Sequence, residues 1–193
     1  MRRITAITCL AAALLLILMG AMVHASAEDE PKKEQVIQII SGSKFIKVEE
    51  EPIEVHYFDC PLDTDLQDYI RTTCDYYDVP MDIVISIISC ESGFQPDVIS
   101  PWDDYGLMQI NKCNHEWLSK ELGITDILDP KQNVLCGIHL FSQHWHETDK
   151  NLEYALIRYN CGTTGGRNLW ESGVHSTRYT EKIMSAYQYY KEV

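Results

Sequence analysis

The chain has 193 residues and 45% hydrophobic side chains, which suits one compact domain plus accessory sequence and excludes disorder over the whole length. It carries 16 Lys and Arg against 29 Asp and Glu, for a formal net charge of −13. Because so acidic a chain has few cations with which to neutralise phosphates, we expect no nucleic-acid partner.

The first 27 residues have the features of an export signal. Met1-Arg2-Arg3 is followed by an uncharged stretch from Ile4 to Val23, and Ala25-Ser26-Ala27 places small residues where a signal peptidase reads. The segment predicts a signal peptide cleaved after Ala27 or, because the apolar stretch is long enough to span a bilayer, an uncleaved membrane anchor. In both cases we expect an exported protein, either extracellular and in the cell wall or anchored to the outer face of the cytoplasmic membrane.

Residues 28–59 are predicted to be an acidic spacer. They hold few apolar side chains that could form a core, although short β-type runs around Ser41-Gly42-Ser43 are also compatible with a small hairpin. The folded domain is then predicted to occupy residues 60–193.

From Cys60 onward the hydrophobic pattern is helical. Asp63 or Thr64 can cap a first helix, and Pro80 suits the first turn of a second. Helices are predicted over residues 65–77, 80–90, 114–121, 130–146, 151–159 and 177–191. Gly162, Gly165 and Gly166 fall just beyond the fifth helix, where helices end. The predicted fold is mainly α, and its one irregular segment, residues 93–112, is where a site would be built.

The cysteines fit an exported protein. Cys9 lies in the leader, and the other six are Cys60, Cys74, Cys90, Cys113, Cys136 and Cys161. Their even number predicts up to three disulfides, whose pairing the sequence does not determine.

A zinc site is the other use of cysteine to consider. Cys136, His139, His144 and His146 share one predicted helix, but their offsets do not place all four on one face. We therefore expect neither a metal nor another cofactor.

Glu91 is the candidate general acid. It ends the most apolar helix of the chain, so partial desolvation should favour its protonated form and raise its pKa. A carboxyl group that is protonated at neutral pH can protonate a leaving oxygen. The alternative is a helix-terminal glutamate that points into water. Because a negative charge is unfavourable at a helix C-terminus, something should compensate for it.

Three segments together resemble the lysozyme-like catalytic domain of soluble lytic transglycosylases and goose-type lysozymes. They are Glu91-Ser92-Gly93-Phe94 with Pro96, the run Gly106-Leu107-Met108-Gln109-Ile110-Asn111, and Tyr159-Asn160-Cys161-Gly162, followed by Tyr179 in the last helix. The resemblance covers about residues 62–190 in order and spacing. It implies a lysozyme-like α+β domain over residues 60–193, with a small β segment between helices.

The resemblance also implies roles for individual residues. Glu91 would be the catalytic acid/base, and Tyr179 would hydrogen-bond near it. The implied substrate-binding residues are Ser92, Gly106, Met108, Gln109, Tyr159, Asn160 and Tyr179. Structural readings stay open for several of them: Met108 as core filler, Asn160 as a helix-end residue, and both tyrosines as packing aromatics.

The implied reaction is cleavage of the β-1,4 bond between MurNAc and GlcNAc in peptidoglycan glycan strands. In this family a single Glu protonates the glycosidic oxygen and then takes the proton of the sugar's own 6-hydroxyl, which closes a 1,6-anhydro ring. By analogy, the short spacer and single domain fit a wall-opening factor within a larger envelope-spanning assembly.

The loop before the second segment departs from the family pattern. It reads Pro101-Trp102-Asp103-Asp104-Tyr105, where family members usually have small residues. Asp103 or Asp104 lies roughly where goose-type lysozymes carry a carboxylate thought to position water, so a muramidase that uses water stays open. Both acids can also be surface or turn residues.

Two further points stay open at this level. A wall-binding or assembly protein whose domain has lost activity is the third alternative to the transglycosylase. Each of the four tryptophans can stack on sugars, but each is more often a core residue: Trp102, Trp117, Trp145 and Trp170.

Overall fold

Six α-helices and one two-stranded sheet make up residues 55–192, the part of the chain that this computed structural model describes. The helices are α1 (Thr64–Tyr77), α2 (Met81–Glu91), α3 (His115–Leu122), α4 (Pro130–Glu147), α5 (Leu152–Glu171) and α6 (Arg178–Glu192). The strands are β1 (Asp104–Tyr105) and β2 (Ile110–Asn111), and a 3₁₀ turn (Lys112–Asn114) follows β2. The predicted leader, Cys9 and almost all of the spacer with its hairpin lie outside the described residues.

The helix boundaries follow local capping chemistry. The Asp63 side chain accepts a hydrogen bond from the Leu66 amide at 2.8 Å, which makes it the N-cap of α1. Asp129 caps α4 in the same way, and Pro130 occupies the first turn of that helix. The predicted helices agree with the observed ones within one or two residues, except at the end of α5.

Helix α2 lies at the centre of the core and packs mainly against α6. All six consecutive residues from Ile83 to Ile88 are buried, so the middle of this helix is surrounded on all sides. Fully burying one such isoleucine contributes roughly 1.5–3 kcal/mol. Helix α1 packs mainly against α4, which also packs against α5.

The β segment is a minimal hairpin held in place by a helix. Strands β1 and β2 are antiparallel, but two residues per strand are too few to be stable alone. The Asn133 side chain of α4 accepts the Met108 amide at 2.8 Å and donates to the carbonyls of Tyr105 and Ile127, each at 2.8 Å. This one buried carboxamide therefore ties the hairpin to α4.

Helix α5 breaks at Gly162 and then resumes. Gly162 has φ 70° and ψ 167°, values that a glycine adopts readily. Beyond it a second helical part runs to Glu171, where the sequence predicted only the helix end. A Cβ at Gly166 would lie 2.7 Å from the Arg158 Cα, so this part packs closely against the first, which is why glycine is required there.

Buried packing is also present just before Cys60, the predicted domain boundary. Phe58 is buried, its amide donates to the Gln67 side chain at 2.9 Å, and its carbonyl accepts from the same side chain at 3.1 Å. None of the described helices has both the length and the apolar character needed to cross a membrane.

The predicted disulfides are not present. All six cysteines between Cys60 and Cys161 are free thiols in this structure. Cys74 and Cys136 fill positions in the core, whereas Cys113 and Cys161 lie at the surface. The even number of cysteines predicted disulfides, but a count does not say which thiols lie close together. Here two are buried in the core and two are exposed at the surface.

Candidate active site

The Glu91 carboxyl group lies at the C-terminal end of α2 and is hydrogen-bonded to the last helix. The Tyr179 hydroxyl of α6 donates to Glu91 Oε1 at 2.6 Å. Burial raises the pKa of Glu91 to about 7, and the nearby charge of Asp104 acts in the same direction. The hydrogen bond from Tyr179 and the charge of Lys182 oppose that rise in pKa. The side chain is thus poised between its two protonation states near neutral pH.

Lys182 supplies the compensation expected at the end of α2. Its ammonium group donates a hydrogen bond to the Cys90 carbonyl, one of the helix-terminal carbonyls without a partner inside the helix. The same charge favours the ionised form of Glu91. Sequence reasoning missed this residue, although it lies one turn after Tyr179 on α6, which is a signal that could have found it.

Tyr159 and Tyr179 are both neutral hydrogen-bond donors. Burial raises the pKa of each hydroxyl well above its ordinary value of 10.0, and the charge of Glu91 raises both further. The Tyr159 hydroxyl donates to the Met108 carbonyl at 3.0 Å. Tyr179 therefore joins α6 to Glu91, and Tyr159 joins α5 to the turn between β1 and β2.

Met108 enters this arrangement through its backbone. Its side chain is fully buried against α4, where a Cβ on Gly137 would lie 2.3 Å from Met108 Sδ. The side chain is therefore core filler, and the expectation that it lines a groove does not fit this geometry. Its amide and carbonyl are instead held by Asn133 and Tyr159.

Gln109 completes the turn between the strands. It has φ 50°, and its side-chain amide donates to the carbonyls of Gly106 at 2.9 Å and Val98 at 3.2 Å. Gly106 has φ 73°, and a Cβ there would meet the Asn133 side chain at 2.4 Å. Both residues therefore shape the loop beside Glu91.

Two other predicted binding residues make only local contacts. The Ser92 side chain is buried and donates to the Ile88 carbonyl of its own helix at 3.2 Å. Asn160 is exposed just before the α5 break, and its side-chain oxygen accepts from the Cys161 thiol at 3.5 Å. No hydrogen bond in the described part of the chain links either side chain to Glu91.

Of the two candidate second carboxylates, Asp104 is the one that acts on Glu91. It accepts hydrogen bonds from the Ser100 hydroxyl and the Asn111 side chain, each at 2.8 Å. Its charge raises the pKa of both Glu91 and Tyr159. Asp103 is exposed with φ 60°, as in a turn, and its carbonyl accepts the Lys112 amide at 2.8 Å.

Two of the three histidines of α4 are hydrogen-bonded to Tyr77 of α1. His139 bonds to the Tyr77 hydroxyl at 3.2 Å, and His146 to the Tyr77 carbonyl at 2.9 Å. Over residues 55–192, no three His, Cys, Asp or Glu side chains converge in a way that could hold a metal ion.

Sequence comparisons match part of this chain to known proteins. The profile of a family described as the transglycosylase SLT domain matches residues 68–181, more than half of the chain. The membrane-bound lytic murein transglycosylase F of Desulfosudis oleivorans is 29% identical over 99 residues, which cover 48% of this chain and 21% of that protein. The chain thus spans about a fifth of the length of this curated relative.

Two solved structures share the fold. An inactive mutant of the lytic transglycosylase Slt from Pseudomonas aeruginosa has a TM-score of 0.57 at 19% identity, over 65% of this chain and 24% of that one. A 70-kDa soluble lytic transglycosylase in complex with bulgecin A has a TM-score of 0.60 at 22% identity, over 68% and 24%.

These similarities confirm the mainly α, lysozyme-like α+β fold and the resemblance carried by the three sequence segments. The chain belongs to the transglycosylase SLT domain family.

Proposed function

We propose that this chain is an exported peptidoglycan lytic transglycosylase. It cleaves the β-1,4 bond between MurNAc and GlcNAc and leaves a 1,6-anhydro-MurNAc end. The observation that carries the proposal is the Glu91 carboxyl group, whose pKa burial raises to about 7 and whose Oε1 accepts the Tyr179 hydroxyl. The family match and the names of the relatives point to the same reaction class.

Glu91 acts first as an acid. Because Oε1 accepts a hydrogen bond from the Tyr179 hydroxyl, the carboxyl proton lies on Oε2, which has no hydrogen-bond partner among residues 55–192. Glu91 gives this proton to the glycosidic oxygen as the bond to the MurNAc anomeric carbon breaks. The acetamido group of the substrate stabilises the cationic carbon, and the Tyr179 hydrogen bond stabilises the new carboxylate.

Glu91 then acts as a base. The carboxylate removes the proton of the MurNAc 6-hydroxyl, whose oxygen attacks the anomeric carbon and closes the 1,6-anhydro ring. The proton returns to Glu91, so the enzyme is regenerated and no water is consumed. A pKa near 7 suits both steps, because the group must give and take a proton at the same pH.

Hydrolysis is the competing chemistry, and Asp104 is the residue that favours it. Its charge acts on Glu91, as expected of a carboxylate that positions water near the acid. However, both of its oxygens already accept hydrogen bonds that hold the loop, from Ser100 and Asn111. We therefore assign Asp104 to loop structure and to the electrostatics of Glu91, and retain the transglycosylase reaction.

The surrounding residues and the cellular setting belong to the same proposal. Glycan strands would contact the chain along Gln109 and Asn160, which keep exposed surface, whereas Ser92, Gly106 and Met108 are buried and would shape the site from behind. The basic and apolar leader supports export to the cell wall or the outer face of the membrane, and one relative is named as membrane-bound. As a further part of this proposal, the chain acts within a larger envelope-spanning assembly.

Mass spectrometry of digested sacculi tests this function. The full chain should release anhydro-muropeptides, about 18 Da lighter than hydrolysed products. Glu91→Gln should release none, whereas Glu171→Gln, which alters an exposed glutamate at the end of α5, should act like the parent. Reducing-end products throughout would establish a hydrolase. Unchanged biological function of the Glu91→Gln chain would indicate a non-catalytic wall-binding protein.

A further inference from the structure

The Trp102 side chain is exposed to solvent. Its side chain is 77% exposed, and the neighbouring Ile99 is 51% exposed. By contrast Trp145 is buried, and both Trp117 and Trp170 are half-buried. An indole is usually well buried, so one this exposed on a structured loop presents an apolar face that a ligand can cover.

The backbone that carries this indole is fixed at both of its polar groups. The Trp102 amide donates to the Ser100 hydroxyl oxygen at 3.1 Å, and its carbonyl accepts from Asn111 Nδ2 at 2.9 Å. The Asp103 amide donates to the Ser100 carbonyl at 3.2 Å, which closes the turn. Because the backbone beneath the ring is already fixed, binding a ligand here costs little backbone conformational entropy.

The same hydrogen bonds place Trp102 at the edge of the candidate active site. Asn111 Nδ2 donates both to the Trp102 carbonyl and to Asp104 Oδ1, so one amide nitrogen joins the two residues. The charge of Asp104 in turn raises the pKa of Glu91. The hairpin of β1 and β2 therefore holds the Trp102 backbone, and the turn of the same hairpin accepts the Tyr159 hydroxyl of the candidate active site.

We infer that Trp102 is a stacking platform for one N-acetylglucosamine ring of the glycan strand, beside the bond that Glu91 cleaves. This inference rests on the proposed function for the nature of the polymer. One face of a pyranose presents only C–H groups, which pack on the face of an indole while the hydroxyl groups stay in water. Asp103 and Asp104 follow Trp102 directly in the chain, so a neutral N-acetylglucosamine is favoured over MurNAc, whose lactyl group carries a stem peptide with carboxylates that they would repel.

Binding to an inert protein tests the platform without turnover. In the Glu91→Gln chain, calorimetric titration with N-acetylchitotetraose should give about tenfold weaker binding after Trp102→Ala, equivalent to about 1.4 kcal/mol. Trp102→Tyr should recover part of the affinity. The matched control is Tyr76→Ala on α1, which removes a ring with 78% exposure that contributes nothing to the site and should leave binding unchanged. Equal affinities for Trp102→Ala and its parent would overturn the inference.

Turnover separates this inference from the proposed function. If the parent cleaves sacculi, Trp102→Ala should raise KM about tenfold and change kcat little; an unchanged KM overturns the platform and leaves the function standing. If the parent binds the tetrasaccharide through Trp102 but cleaves nothing, the platform stands and the proposed function fails. A parent that sediments as a dimer, with a monomeric Trp102→Ala, would show that a second copy covers the ring and would overturn the sugar assignment.

Discussion

Replacing Glu91 with Gln should stabilise the fold above pH 7 and leave stability near pH 4 almost unchanged. Glutamine is close to glutamate in size, and its side-chain oxygen can still accept the Tyr179 hydroxyl, so the packing at position 91 is kept. The substitution removes only the ability to ionise in a partly dry environment.

The magnitude follows from the shift in the pKa of Glu91, from 4.5 to about 7. Each pKa unit corresponds to about 1.36 kcal/mol, so the neutral Glu91 carboxyl group stabilises the folded parent by about 3 kcal/mol at low pH relative to high pH. Because the folded-state pKa is raised, this stabilisation is fully present below pH 4.5 and is lost as the pH rises to and through 7. Glutamine does not titrate in this pH range, so the Glu91→Gln protein does not lose this free energy.

Urea denaturation of both proteins at intervals between pH 4 and pH 8.5 measures the difference. Other titrating groups, such as His144, whose pKa burial lowers to about 4, are present in both chains and cancel. The advantage of Glu91→Gln should grow with pH and level off above pH 7, whereas Glu171→Gln, at an exposed position, should show no such trend. A difference between parent and Glu91→Gln that does not vary with pH would show that Glu91 is not held neutral, and its assignment as the acid would fail.

Three further substitutions have definite expected outcomes. Tyr179→Phe removes a hydrogen bond to a charged group, worth about 1.5–3 kcal/mol, so the basic limb of the pH–rate profile for glycan release should move up by about one to two pH units; an unmoved limb would contradict the Glu91 contact. Asp104→Asn removes a charge that raises the pKa of Glu91, so the same limb should move down, and an upward shift would refute the electrostatic coupling. Gly137→Ala forces a methyl group against Met108, so the urea midpoint should fall by the equivalent of about 1–3 kcal/mol; an unchanged midpoint would mean that the core yields there.

The helices were largely predictable because their signals are local. Periodic apolar residues and end signals such as Asp63 and Pro80 act within one turn, and they place the boundaries within one or two residues. The second half of α5 was not predictable, since its glycines are typical of a helix end. Only the close packing of Gly166 on Arg158, visible in three dimensions, explains why the helix resumes.

The site was predictable only where a motif carried it. Glu91 and Tyr179 are 88 positions apart, and the resemblance to a known family, rather than any spacing rule, paired them. Lys182 and Asn133 were missed because both act on backbone groups of distant segments. The role of Met108 was misjudged for a related reason, since a sequence motif does not say whether a residue contributes its side chain or its backbone.

Two of the three hydrogen bonds of Asn133 make the hairpin an inseparable part of the helix behind it. If the hairpin were transplanted alone into another scaffold, one of its amides and one of its carbonyls would lose their hydrogen-bond partner, at about 1–3 kcal/mol each. A chimera that exchanges this loop with that of a relative must therefore also keep Asn133, which lies 25 positions after Met108. Variation in the loop is thereby limited to exchanges that leave those backbone groups where the carboxamide can reach them.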